Sequence, residues 1–361
     1  MKQIRNNLLF ILGLFFFLGS CSSENDNSKP EDSFDRAKMD LLFSTIEDKN
    51  FGMGSISIFE NGNEVYQNAF GMADVANSIT INGQTKFRIG SISKTFTAVM
   101  IMQLVDESML TLTTALSDYF PEIPNSTAIT IEQLLRHRSG LYNFTNSWDL
   151  VNWVTETKTR AELIEIFIDN GTVFEPNEKA EYSNTNYVLL SFIIEKIDAK
   201  DFSDALKDRI TDPIDLSNTY YGSTINTANN EALSYFFKSN WILASEMDMS
   251  IPQGAGAIVS TPTDLNTFYT ALFNGQLVSE NSLEKMQTLV DDFGMGLFQI
   301  PFYDRSALGH SGGIDGFRSR AAHFSDDRVT IAYTSNGVTM PMNDILIGAL
   351  SIYFDLEYTL P

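Results

Sequence analysis

One stretch constrains the fold more than any other. Residues 91–110 place Ile92, Phe96, Val99, Met100, Met102, Leu104 and Val105 around nearly the whole circumference of a helix. A helix with one apolar stripe can lie on a surface, whereas one that is apolar on every side must be enclosed by other elements. The chain therefore has to supply packed layers around this segment. With 361 residues, 43% of them hydrophobic, it can bury a core of that size in one or two domains.

The remaining periodicities say what those layers are. Residues 34–46 repeat apolar side chains at helical spacing. Residues 53–59 and 64–70 alternate like two strands around Asn61-Gly62. Between about 112 and 290 the pattern is mostly helical, at 131–136, 160–168, 187–197, 202–210 and 264–273. The last of these has a clear start: Thr261 can cap it, Pro262 fits its first turn and Asp264 adds negative charge near its positive end. Strand patterns return at 294–300, 317–324 and 328–333, followed by a helix over 343–354. Strands thus occupy both ends of the chain. The expected class is α/β (α+β), with one antiparallel sheet built from both ends, flanked by the terminal helices, and a mostly helical insertion at about 112–290. No internal repeat is present.

The first residues read differently. Lys2 and Arg5 precede an apolar run over 8–18, too short for the roughly 20 residues of a membrane span, and Gly19-Ser20-Cys21 follows. Residues 1–20 are expected to be a signal peptide. Leu18-Gly19-Ser20-Cys21 resembles the lipobox of bacterial lipoproteins, which implies a lipid anchor on Cys21, the only cysteine. Residues 21–33 then form an acidic tether with nothing to bury, and residues 34–361 form the body. By the same resemblance to lipoproteins, Ser22 rather than aspartate after the cysteine implies sorting to the outer membrane in a cell with two membranes, facing the periplasm or the outside. A formal net charge of −22 with no basic stripe excludes nucleic acid as a partner.

Ser91-Ile92-Ser93-Lys94 sets a hydroxyl and an amine three residues apart at the start of the enclosed helix, so both face the same way one turn apart. That is a nucleophile beside a base. An ordinary lysine, with a pKa of about 10.4, is neutral at pH 7 in only about one molecule in 2,500, a deficit of roughly 4.6 kcal/mol that burial has to remove. Ser282-Leu283-Glu284-Lys285 repeats the spacing, but in a polar stretch that reads as an exposed helix start.

Further elements follow Ser91 in order. Tyr182-Ser183-Asn184 and His310-Ser311-Gly312-Gly313 complete a set that resembles the serine beta-lactamase and penicillin-binding protein superfamily. Tyr66-Gln67-Asn68 mimics the second element but precedes the serine. Leu134-Leu135-Arg136-His137-Arg138-Ser139-Gly140-Leu141 and the stretch from Gly254-Ala255-Gly256 to Asp264-Leu265 also look familial. The resemblance implies a serine hydrolase acting through an acyl-enzyme on a D-alanyl peptide, beta-lactam or small ester, without cofactor or metal. It implies Ser91 as nucleophile, Lys94 as base and Tyr182 as proton carrier. The N–H groups of Ser91 and Gly313 would form an oxyanion hole. Asn184, His310, Ser311 and Gly312 would bind substrate, His310 as a positive or polar edge. Histidine replaces the usual lysine there, and no class A glutamate or Ser-Asp-Asn is found, which points to the class C, D-alanyl-D-alanine carboxypeptidase and esterase branch.

Rival readings are weaker. Gly309-His310-Ser311-Gly312-Gly313 fits a nucleophile elbow, yet the acid and histidine that elbow needs downstream are lacking, since only Asp315 and His323 follow closely. His323 reads as a sheet residue and His137 as structural. Phe236, Phe237 and Trp241 fit an apolar pocket or the core equally well. A non-catalytic binding module would have no need of the complete set of Ser91, Lys94, Tyr182 and Asn184.

Overall fold

The computed structural model describes residues 34–361; the signal-peptide, Cys21 and tether readings lie outside them. A central sheet has six strands, β1 (Gly52–Glu60), β2 (Asn63–Phe70), β3 (Phe298–Phe302), β4 (Arg305–Ile314), β5 (Phe317–Phe324) and β6 (Val329–Val338). Their order is β3-β4-β5-β6-β1-β2, antiparallel throughout. The two ends of the chain meet where β1 pairs with β6, with Ser57 opposite Ala332. The β1–β2 turn uses Asn61 and Gly62, both at positive φ (52° and 80°), the backbone a tight hairpin demands.

The helices that frame the sheet are α1 (Arg36–Asp48), α2 (Ser93–Asp106), α3 (Asn184–Asp198), α4 (Pro262–Phe273) and α5 (Met342–Tyr353). Period-two alternation divides the strand side chains between two cores. Ile331 and Tyr333 of β6, with Ile56 and Ile58 of β1, meet Met39, Leu42 and Phe43 of α1 and Ile345, Leu346 and Ala349 of α5. The opposite face carries small side chains, Ser57, Ala321 and Ala332, so α4 can come close enough for Asn266 Nδ2 to donate to Ser57 Oγ at 3.0 Å. Behind α4 lies α2, buried from Ser93 to Met102, with Phe96 stacked on Phe268 at 3.7 Å between centroids. Thr261 caps α4 by accepting from the N–H of Asp264, and Pro262 opens it.

Several segments differ from the periodicity reading. The stretch from 112 to 290 also carries short strands: Ile258–Ser260 pairs with Phe87–Arg88 on one side and Tyr220–Tyr221 on the other, and Tyr235–Phe237 pairs with Trp241–Leu243. The helix expected over 202–210 begins as Phe202–Leu206 and widens into a π-turn, Lys207–Thr211. Periodicity does not reveal β4, whose glycines displace the β-branched residues that mark a strand. In the Tyr235–Leu243 hairpin Phe236 and Phe237 are exposed and Trp241 is half-buried, so these aromatics form a rim beside the end of β4 rather than a closed pocket or a core. Ser234 Oγ accepts from the N–H of Gly316 at 3.1 Å and fixes that rim to the β4–β5 turn.

Candidate active site

Ser91 sits on a short 3-10 turn, Gly90–Ile92, that runs straight into α2. Gly90 makes the turn possible: its φ is +51°, and a Cβ built there would stand 2.8 Å from the backbone nitrogen of Gly313. The turn and β4 are therefore in direct backbone contact. Gly312 repeats the theme, since a Cβ there would fall 2.0 Å from the carbonyl oxygen of Ile89. Ser319 Oγ donates to that same carbonyl at 2.7 Å, and the N–H of Ile258 donates to Ser93 Oγ at 3.1 Å. Below the turn, the buried guanidinium of Arg88 bonds Asp315 at 2.7 Å, Glu246 at 3.1 Å and the carbonyls of Met247 and Ser223, tying the serine segment to the turn after β4.

One helical turn past Ser91, Lys94 is completely buried. Its Nζ lies 3.1 Å from Ser91 Oγ, 2.6 Å from Asn184 Oδ1 and 2.7 Å from the carbonyl oxygen of Ala255. Burial holds the amine well below the ordinary lysine range. Asn184 is itself held: its N–H donates to Asn143 Oδ1 at 3.0 Å and its Nδ2 to Thr145 Oγ1 at 2.8 Å, which turns Oδ1 toward the lysine.

Tyr182 stands with its ring 4.9 Å from Lys94 Nζ. Burial raises its phenol well above the ordinary range, outweighing the lowering effect of nearby Ser91. Rings surround it: His137 at 4.5 Å, Phe298 at 6.2 Å and His310 at 6.4 Å. Of the positive or polar edge expected at His310, burial favours the polar, uncharged form. Its imidazole is buried, packed 4.5 Å from Phe298, and pushed down to about 3 by burial first and by nearby Lys94 second. It is a neutral polar group whose Nδ1 bonds the carbonyl of Ser311 at 2.6 Å.

The cation on this side is Arg320. It sits on β5 directly across from Ser311 and makes no hydrogen bond or ion pair among the described residues, with Nε buried and unpaired. Together with Phe298, His310, Ser311, Leu346 and Leu350 it lines a cavity of about 610 Å³. Strand β3 covers β4 only as far as Gly309, opposite Phe298, so residues 310–314 have no strand partner on that edge.

Comparison with known proteins places this geometry. The family model described as "Beta-lactamase" matches residues 40–350. The chain belongs to the beta-lactamase family. Penicillin-binding protein 4* of Bacillus subtilis (strain 168) is 28% identical over 353 residues, covering 90% of this chain and 78% of that protein. The teichoic acid D-alanine hydrolase of Staphylococcus aureus is 25% identical over 261 residues, 70% of this chain and 64% of its own length. The solved D-amino acid amidase of Ochrobactrum anthropi SV3, in complex with L-phenylalanine amide, superposes with a TM-score of 0.79 at 24% identity, over 88% of this chain and 98% of that one. This beta-lactamase-family chain is accordingly a serine hydrolase with the mixed α/β, antiparallel-sheet fold of its relatives.

Within the family frame the decoys separate from the site. Ser282 Oγ donates to Asp106 at 2.6 Å in the cap of a short helix, and Tyr66 OH donates to Asp40 at 2.8 Å. Ser311 lies inside β4, not on a strand-to-helix elbow. His323 Nδ1 meets Thr330 Oγ1 at 2.8 Å and its ring stacks on Phe273 at 4.4 Å. Four participants escape sequence reading: Asn143, Thr145, the Ala255 carbonyl and Arg320. Only Ala255 lies in a stretch with a familial signal.

Proposed function

We propose that this hydrolase cleaves D-aminoacyl esters or amides through an acyl-Ser91 intermediate, with a leaving group that carries a carboxylate. The observation that carries the chemistry is the hydrogen-bond count at Lys94. A neutral amine has two N–H donors and one lone pair. Asn184 Oδ1 and the Ala255 carbonyl can only accept, so they take both donors and leave the lone pair for the Ser91 hydroxyl. Ser91 Oγ then attacks the carbonyl carbon as its proton passes to Lys94. The N–H groups of Ser91 and Gly313, on adjoining backbones, face the oxyanion, each donor typically worth about 3 kcal/mol. Tyr182, kept neutral by burial, hands the Lys94 proton to the leaving group and later draws a proton from the attacking water as that proton returns to Lys94.

Two observations support the substrate. The names of the relatives converge on D-configured acyl groups or penicillin. The unpaired guanidinium of Arg320, across from Ser311, is the cation that neutral His310 does not supply, and it suits a carboxylate. The open edge of β4 can pair with an extended peptide.

Intact mass after exposure to a fluorophosphonate, and separately to penicillin, tests the reading. An adduct that disappears in Ser91→Ala establishes the nucleophile, and penicillin labelling favours peptide over simple ester substrates. Failure of both reagents to label folded protein would leave a binding module. Arg320→Met should weaken turnover of a D-alanyl-D-alanine peptide far more than that of an ester with an uncharged leaving group.

A further inference from the structure

We propose that His137 is a positioning residue for Tyr182, holding the backbone on both sides of the tyrosine and thereby fixing where its phenol stands against Ser91 and Lys94. The inference rests on the reading of Tyr182 as proton carrier. Residues 179–183 lie in neither helix nor strand, so no ladder of bonds fixes them. Instead the N–H of Glu181 donates to the carbonyl oxygen of His137 at 2.8 Å, and the N–H of Ser183 donates to His137 Nδ1 at 3.1 Å. Both neighbours of Tyr182 are thus bonded to one histidine. The same imidazole lies 4.5 Å from the Tyr182 ring and is wedged against Tyr187 at 5.2 Å and Phe293 at 5.1 Å.

The clamp needs a rigid mount and a defined tautomer. His137 follows the helix Ile131–Leu135, which opens with a reciprocal cap between Thr130 and Gln133. Its neighbour Arg136 bonds the carbonyls of Lys285 at 2.9 Å, Thr288 at 2.6 Å and Phe293 at 3.3 Å, and Tyr187 OH donates to the carbonyl of Leu135 at 2.7 Å. His137 itself takes a left-handed backbone, φ 57°, which lets its carbonyl and ring reach the same strand of chain. To accept from Ser183, Nδ1 must offer a lone pair, so the proton sits on Nε2. Burial, then the nearness of Lys94, favours that neutral form. Phenylalanine would keep the ring and lose the acceptor.

The test exploits the leaving group. p-Nitrophenolate departs without a proton, whereas an amine needs one, so a displaced Tyr182 should harm amide hydrolysis selectively. In the full chain, His137→Phe should lower kcat/KM for D-phenylalanine amide by about 100-fold, the scale of a lost general acid, and that for the D-phenylalanine p-nitrophenyl ester far less. His137→Gln, whose side-chain carbonyl can accept from Ser183, should recover about tenfold of the amide rate. On a Tyr182→Phe background His137→Phe should add no further loss. Equal losses on both substrates, additivity with Tyr182→Phe, or wild-type amide turnover in His137→Phe would overturn the proposal. Wild-type amide turnover in Tyr182→Phe would instead remove the proton-carrier reading beneath it. If His137→Phe does not fold, His137→Gln enters the same cycle, and a loss that persists beside Tyr182→Phe counts against the clamp.

Discussion

At Lys94, burial removes the water that would stabilise an ammonium, while two carbonyl oxygens orient the amine that remains. Both effects act on one proton, so wild-type stability and activity should both fall as pH falls, a dependence that Lys94→Met lacks. An unfolded lysine holds its proton up to about pH 10.4, whereas the buried one releases it well below that. Between those values unfolding takes up a proton, so wild-type stability falls as pH falls, by up to about 1.4 kcal/mol per pH unit. Lys94→Met carries no such proton. Its stability relative to wild type should rise as pH is lowered from about 10, levelling off below the folded pKa, while its turnover is abolished. Denaturant midpoints at several pH values check this, and a difference independent of pH would mean a charged lysine in the folded protein. A second expectation concerns the acid limb of kcat/KM. Protonating Lys94 removes the lone pair that faces Ser91, so activity should decline as pH falls through the folded Lys94 pKa. His310, neutral down to about 3, contributes no ionisation there. His310→Gln should therefore leave the midpoint of that limb in place, and a shifted midpoint would show that His310 carries charge.

Among the elements, the contact that assembles the site is the one between the Ser91 turn and β4, and glycine is what permits it. In Gly312→Ala the new methyl would meet the Ile89 carbonyl at 2.0 Å and Ser319 Oγ at 2.5 Å, so the strand must back away from the turn. Overpacking of this kind costs about 1–3 kcal/mol, and a displacement near 1 Å at the oxyanion donors should lower kcat/KM by about 100-fold. Thr261→Ala is the contrasting variant. It removes the cap of α4 and about 1 kcal/mol of stability, with kcat/KM unchanged. Wild-type kcat/KM in Gly312→Ala would separate the oxyanion donors from this contact. The glycines also explain what sequence conceals. The hairpin at Asn61-Gly62, the enclosed α2 and the capped α4 are legible because each is encoded locally, by a turn pair, a periodicity or a cap. Strand β4 is not, because it is shaped by close approach rather than propensity. At the site, Ser91 and Lys94 are legible through their spacing on one helix. Asn143 and Thr145 reach Asn184 across 41 and 39 residues, a relation no local pattern carries. The neutrality of His310 depends on its burial, which only folding brings about.

For the whole molecule, the division of labour runs along the sheet. One face packs α1 and α5 from the two chain ends, and the other supports the helices and turns that carry Ser91, Lys94, Tyr182 and Asn184. Phe34 is buried against Tyr66 and Tyr353 on the α1–α5 side, with ring centroids 5.8 Å and 5.3 Å away. Among the described residues no helix is long and apolar enough to cross a membrane, and the lipobox-like Leu18-Gly19-Ser20-Cys21 offers one route to a membrane surface. We expect Cys21 to provide it. Full-length protein expressed in a bacterium with a lipoprotein pathway should partition into detergent and carry an acylated amino terminus by mass, and Cys21→Ser should partition into water. Because Cys21 is not among the residues proposed to act on substrate, kcat/KM on a small D-aminoacyl ester should be the same for both forms. Detergent partitioning that survives Cys21→Ser would relocate the membrane contact to the folded body, where the exposed Phe236, Phe237, Ile242 and Leu243 of the hairpin beside β4 are the apolar surface to truncate next.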